Sequence, residues 1–200
     1  MLPPPRFTKR LPRWWWAALV LVVALVIFLV ARACSAPPPP PTPQAIDIAA
    51  ITELDAVADG GDSKDHPDQV PLATDGDSTT CWTSEVYATG YIPTNKPGIG
   101  LVFDLASSKS LASMTITFGA VPISYSIMVP NDQTVDAPPL DTVQSWSSLA
   151  DVTSREMTVT LNLPANTTTR FVMLYFTNLP AAVDKDNRVQ ASVCEVTATG

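Results

Sequence analysis

An all-β sandwich or jelly roll preceded by a single transmembrane helix is the architecture this sequence predicts, and three observations predict it. One continuous run, Trp14 to Ala31, contains no charged or polar side chain apart from the indole N–H groups. Several short segments after residue 45 alternate apolar and polar residues with period two. No segment beyond the first run sustains a helical period. Short alternating segments separated by turn residues belong to sandwiches rather than to βαβ folds.

The apolar run comes first in the chain. At 1.5 Å rise per residue it spans about 27 Å, against a bilayer core of about 30 Å. A helix buried in a soluble core would carry a polar face, and this one has none. Trp14, Trp15 and Trp16 sit where an aromatic belt is expected, Arg6, Lys9, Arg10 and Arg13 precede the run, and Arg32 follows it. The positive-inside rule then makes residues 1–13 a cytoplasmic stub and residues 14–33 a membrane helix, with everything later outside the cytoplasm. Three fates stand open for the segment. It is an uncleaved anchor, the reading its length favours; or a signal peptide cut after Ala33, since Ala31-Arg32-Ala33 has the A-x-A form; or a bacterial lipoprotein leader with Cys34 lipidated. All three put the domain outside, and the expected location is the cell membrane.

Residues 34–44 form a linker. Its run Pro37-Pro38-Pro39-Pro40-Pro41-Thr42-Pro43 favours a polyproline II helix at about 3.1 Å per residue, so it would hold the domain about 20 Å off the membrane. Charge divides at the same place. The first acid is Asp47, so the outer part carries seven basic residues against nineteen acidic ones, a net charge of −12. Such a domain repels phosphate backbones, which excludes nucleic acid as a partner.

Residues 45–200 read as the β domain. From Leu111 to Phe118, Met114, Ile116 and Phe118 face one way and Ser113, Thr115 and Thr117 the other. Met157, Val159 and Leu161 alternate with Thr158, Thr160 and Asn162. Both are half-buried strands. Gly100–Leu105, Tyr125–Val129 and Arg170–Phe176 are more continuously apolar, as central strands are, and Val189–Thr199 reads as the last strand.

The most informative stretch is Ala73-Thr74-Asp75-Gly76-Asp77-Ser78-Thr79-Thr80-Cys81-Trp82. It resembles the A-x-D-G-[DN]-x-x-T-x-W signature of discoidin-like domains, also called coagulation-factor type C or galactose-binding-like domains, which are β-sandwiches. Cys194-Glu195-Val196 is similar to the Glu-Val of that family's final strand. Taken with the acidic stretch Asp55–Asp68 and with Lys96-Pro97-Gly98-Ile99-Gly100-Leu101, the set looks most like the extracytoplasmic domain of actinobacterial lipid II flippase (MviN family) proteins. The resemblance implies a structural Ca²⁺ held by the Ala73 carbonyl, Asp75, Asp77, Thr80 and Glu195. Ca²⁺ takes six to eight oxygens, several from backbone carbonyls, and a tight loop with Gly76 can supply them. The alternative is a turn whose aspartates cap backbone N–H groups. Trp82 is expected in the core. The Asp55–Asp68 loop reads as solvated, with a second metal site as the alternative.

Cys34 lies at the membrane boundary, which leaves Cys81 and Cys194 as a pair in an oxidising compartment. Each adjoins an implied calcium ligand, Thr80 and Glu195, so ligands that meet would bring a disulfide with them; two buried thiols are the alternative. His66, the one histidine, stands beside Pro67 in a loop and is expected to be solvated. The sequence has no G-x-S-x-G, no HExxH and no phosphate loop. A non-catalytic binding module follows. Sugar sites combine an aromatic face with a few fixed polar groups, and the candidates are Tyr87, Tyr91 and Trp146 with Lys96 or Arg155. The expected ligand is a cell-envelope glycan or a peptidoglycan-related molecule. The second reading is an accessory subunit that docks on a membrane protein of envelope assembly.

Overall fold

The computed structural model describes residues 14–34, 42–88, 96–183 and 185–200, with the backbone alone at residues 31, 33 and 34. The chain divides into two units, one ending at Thr42 and the other running Pro43–Gly200.

The first unit contains α1, Trp14–Cys34, twenty-one residues long. Its large apolar side chains are exposed all round, as Leu21 at 71% and Val26 at 52% show. Among the described residues no helix is long and apolar enough to cross a membrane.

The second unit is a sandwich of two antiparallel sheets. In chain order the strands are β1 (Ala45–Ile46), β2 (Ala50–Leu54), β3 (Trp82–Thr83), β4 (Ile99–Ser110), β5 (Ser113–Phe118), β6 (Ile123–Pro130), β7 (Trp146–Ser154), β8 (Thr158–Asn162), β9 (Thr168–Asn178) and β10 (Ser192–Thr199). One sheet has the order β1-β10-β5-β8 with β3 also paired to β10; the other has the order β2-β4-β9-β6-β7. The core lies between them. Leu101, Phe103, Leu174 and Phe176 from one sheet meet Met114, Ile116, Phe118 and Val196 from the other, and Trp82 fills one end at 0% exposure, stacked on Phe176 at 6.1 Å.

The two outer faces differ. On the β10-β5-β8 face, Thr115 pairs with Thr160 and Thr117 with Thr158 through their hydroxyls at 2.9 and 3.2 Å, with Thr158 and Thr160 open to water. That face gives the clean alternation seen in the sequence. Met157 departs from it, because it lies just before β8 and is 45% exposed. On the other sheet, Val102, Phe171, Met173 and Tyr175 also point outward and are nonetheless buried. The β6–β7 loop covers them, with Val135, Leu140 and Val143 packed down. The continuously apolar runs in β4 and β9 therefore reflect burial on both sides.

Register fixes the two poles of the domain. Leu54 opposes Gly100, Gly100 opposes Tyr175, Tyr175 opposes Ser126 and Ser126 opposes Asp151. The ends of β2, β7 and β9 and the starts of β4 and β6 thus share one pole. The long 55–98 segment, the 119–122 turn, the 155–157 turn and the 179–191 loop all emerge there. At the other pole Gln44 and Gly200 exchange backbone hydrogen bonds of 2.8 and 2.9 Å. The chain enters the domain opposite the long loops.

Candidate functional site

Two acidic loops dominate the loop pole, and they are built differently. In the Ala73–Thr80 loop a 3-10 turn, Val70–Ala73, delivers a buried Ala73 and releases the chain into an exposed turn. Gly76 takes φ +82, a left-handed value that few side-chain-bearing residues tolerate. Asp75 Oδ1 accepts from Asp77 N at 2.9 Å and Asp75 Oδ2 from the Thr80 hydroxyl at 2.6 Å. Asp77 Oδ1 accepts from the N–H and hydroxyl of Thr79 at 2.9 and 2.6 Å. Those bonds hold the Asp77 carboxyl below its ordinary range. Glu195 reaches in from β10, its Oε2 accepting from Gly76 N at 2.9 Å. The Cys81–Cys194 disulfide is formed and locks the loop to β10 across 113 residues.

Asp75, Asp77, Thr80 and Glu195 therefore gather at one loop, and Ala73 ends the turn that precedes it. The donors are all oxygen, which suits a hard cation, and an ionised carboxylate has about four lone-pair positions, so one hydrogen bond does not exhaust it. Among the described residues no three His, Cys, Asp or Glu side chains converge on one point. An ion here would have to draw much of its shell from carbonyls and hydroxyls.

The Asp55–Asp68 loop corrects the expectation of a solvated acidic turn in part, for Asp62 and Asp68 are exposed and two other aspartates are not. Asp55 and Asp65 are 3% and 1% exposed. Asp55 Oδ2 accepts from Asp62 N at 2.9 Å, and its Oδ1 lies 2.5 Å from Lys96 Nζ. That contact is an ion pair buried at both ends. Gly61 lies so close to Asp55 that no Cβ fits there. Asp65 accepts from Glu85 N and, at 3.4 Å, from the Tyr87 hydroxyl, which itself accepts from Lys96 Nζ at 2.7 Å. Trp82 Nε1 donates to the Asp65 carbonyl at 3.0 Å. Burial pushes the Asp65 carboxyl up to about 7 despite the hydrogen bond from Glu85 and the charge of Lys96. Burial and the charge of Asp65 also raise Tyr87 far above the phenol range. His66 is likewise not a free loop histidine: its Nδ1 lies 2.7 Å from the Thr83 carbonyl oxygen.

The candidate sugar-binding set is not brought together. Tyr87 and Lys96 are 8% and 7% exposed and belong to the buried cluster just described, so neither offers a surface face. Trp146 is 5% exposed, with its indole donating to the Pro139 carbonyl at 2.8 Å under the β6–β7 loop. It starts β7, whereas Arg155 follows the end of that strand, roughly 31 Å away at about 3.4 Å per residue. Arg155 is exposed at the loop pole, as are Lys185 and Arg188 of the β9–β10 loop. Tyr91 lies outside the described residues.

No protein-family model matches the chain, and no curated protein matches it in sequence. Solved structures do match it in fold. The family 32 carbohydrate-binding module of AlyQ, solved with 4,5-unsaturated mannuronic acid, superposes with a TM-score of 0.52 at 17% identity, covering 78% of this chain and 97% of that one. The family 32 module of NanJ from C. perfringens, solved with galactose, gives 0.53 at 14% identity, covering 80% and 100%. Chitosan-binding module 1 of a chitosanase/glucanase from Paenibacillus sp. IK-5 gives 0.52 at 19% identity, covering 78% and 99%. The second unit of this chain thus has the two-sheet sandwich fold of the family 32, discoidin-like carbohydrate-binding modules.

Proposed function

We propose that the second unit is a non-catalytic glycan-binding module, presented to cell-envelope glycan by its loop pole. The observation that carries this reading is the sandwich shared with modules solved on galactose and on unsaturated mannuronic acid. Its support within the chain is the placement of the long loops opposite Gln44 and Gly200. Arg155, Lys185 and Arg188 give that pole exposed donors for hydroxyl and carboxylate groups. The test is titration of the full-length chain in detergent micelles with cell-wall glycan fragments and a panel of oligosaccharides. Saturable binding that Arg155→Ala weakens is the expected result; a panel with no binder overturns the reading.

The same reading extends to the rest of the chain. We place residues 14–33 in the membrane as an uncleaved anchor, supported by the twenty-one-residue α1, the basic flank and the absence of acids before Asp47. Mass spectrometry of the membrane fraction should find an intact N-terminus, and a mature form starting at Cys34 would sink the anchor. The Ala73–Thr80 loop with Glu195 is taken as a calcium loop on its all-oxygen donor set. Binding to the folded state alone stabilises by about 2.7 kcal/mol at a hundredfold excess over Kd. Melting curves that coincide in calcium and in chelator would reduce it to a plain turn. The motifs resembling the flippase domain favour a second role, docking on a membrane protein of envelope assembly. Crosslinking in intact membranes tests that role separately.

A further inference from the structure

A cavity of about 300 Å³ opens beside the edge strand β2, lined by Thr52, Glu53, Asp55, Ser63, Val70 and Leu140 among others. Its walls are apolar and its polar end is anionic. Glu53 Oε2 is shielded from water and has no hydrogen-bond donor among the described residues. Asp55, 3% exposed, lines the same space, its Oδ1 paired with Lys96 at 2.5 Å. Lys96 is also the cation that faces Asp65, so one ammonium serves the buried Asp55 and Asp65, and among the described residues no lysine or arginine pairs with Glu53. A buried carboxylate oxygen without a donor is costly, and the cost is relieved only by a group that brings both N–H donors and positive charge. Burial raises the Glu53 carboxyl above its ordinary value and the charges of Asp55 and Asp62 add to that, against the lowering by the Asp65 backbone N–H and the charge of His66. The burial and the two like charges are penalties an incoming cation would offset.

We infer that this cavity is a binding site for a primary ammonium group on a small body, with Glu53 as its ion-pair partner and the Thr52 and Ser63 hydroxyls beside it. Among the described residues no third metal-ligating side chain joins the pair, so an organic cation fits better than a metal ion. The volume is at the small end of ligand pockets, which run from about 300 to 1,000 Å³. The site takes one amino sugar unit or one aliphatic amine, and it stands independently of the glycan reading.

The test is calorimetric titration of the full-length chain in detergent micelles at neutral pH and low salt. The probes are glucosamine, N-acetylglucosamine, 1,5-diaminopentane and pentan-1-ol. An ammonium probe should bind and its neutral counterpart should not. Glucosamine alone would assign the amine to a sugar, and binding of diaminopentane would assign it to any aliphatic amine. Glu53→Gln keeps the shape, removes the charge, and should weaken binding by about tenfold or more. Thr52→Lys places a tethered ammonium in the cavity and should abolish binding. The inference is overturned if the neutral counterpart binds equally, if no ammonium probe binds, or if affinity is unchanged in both variants. Neutral glycans bound by the same protein in that event would leave the module reading standing.

Discussion

The two acidic loops of the long 55–98 segment look alike in sequence and behave as opposites in the fold. Asp55–Asp68 sends two carboxylates into the interior, where Lys96 and Tyr87 meet them. Ala73–Thr80 keeps its carboxylates at the surface and satisfies them with its own N–H and hydroxyl groups. The first loop is held by charge in a place without water, the second by turn hydrogen bonds and a covalent link. An aspartate-rich loop therefore has no fixed character. What decides its role is whether a counter-charge can be delivered to it from elsewhere in the chain, here from Lys96 at the far end of the segment.

The largest separation should come from the covalent link. Replacing both Cys81 and Cys194 by alanine frees a closed loop of 113 residues, and the chain-entropy model assigns about 4–5 kcal/mol to a loop of that size. Urea unfolding of the oxidised wild type and the double variant measures it. A loss below about 1 kcal/mol would mean that the second loop is held by its hydrogen bonds and not by the link.

Next in size is the counter-charge. Lys96→Met keeps most of the side-chain volume and leaves Asp55 and Asp65 buried without a cation. Removing one partner of a buried pair costs about 3–5 kcal/mol, and the melting point should fall by roughly ten degrees or more for a domain of this length. A near-neutral variant would show that water enters the cluster and that the first loop is as wet as the second.

Much of the fold was legible in the residues. The alternation of Met114, Ile116 and Phe118, the central position of Gly100–Leu105 and Arg170–Phe176, and the core place of Trp82 all follow from side-chain periodicity, which is local. The Cys81–Cys194 pair was legible because each cysteine adjoins a motif residue. The sugar-site candidates were not. Whether Tyr87 or Trp146 shows a face depends on what folds over it, the Lys96 cluster in one case and the β6–β7 loop in the other. Both depend on tertiary contacts that no local pattern encodes. One clue was present: runs as apolar as those of β4 and β9 call for cover on both faces, and the roof over Val102 and Phe171 supplies it.

The pH response should separate the loops by sign. Burial pushes the Asp65 carboxyl up to about 7 in the folded state, from an ordinary 3.8, so between those values the folded state holds a proton that the unfolded state has released. Stability should fall as pH rises from about 4 to about 7 and stay level above that. Asp65→Asn should flatten this slope. Asp77 is shifted the other way. Its contribution is complete above the unfolded value and is lost as pH falls through the lower folded one. Melting points between pH 3 and pH 8 resolve the two limbs, and an unchanged slope in Asp65→Asn would assign the upper limb to another group, Glu53 first.

The smallest effect tests the second loop from within. The Thr80 hydroxyl donates to Asp75 Oδ2 at 2.6 Å and lies 2.9 Å from the Asp77 carbonyl. Thr80→Val keeps the shape and removes that donor. The groups left behind are near water, which replaces the lost partner, so the cost should be about 1 kcal/mol, or two to four degrees in melting point. The Thr80→Val and Lys96→Met effects should also add, because the two sites share no hydrogen-bond partner and distant sites are additive within about 0.5 kcal/mol. A Thr80→Val loss as large as that of Lys96→Met would mean the exposed loop carries the same stress as the buried one. A strongly non-additive double variant would mean that the loops are one cooperative unit, joined through Trp82, which follows Cys81 and donates to the Asp65 carbonyl.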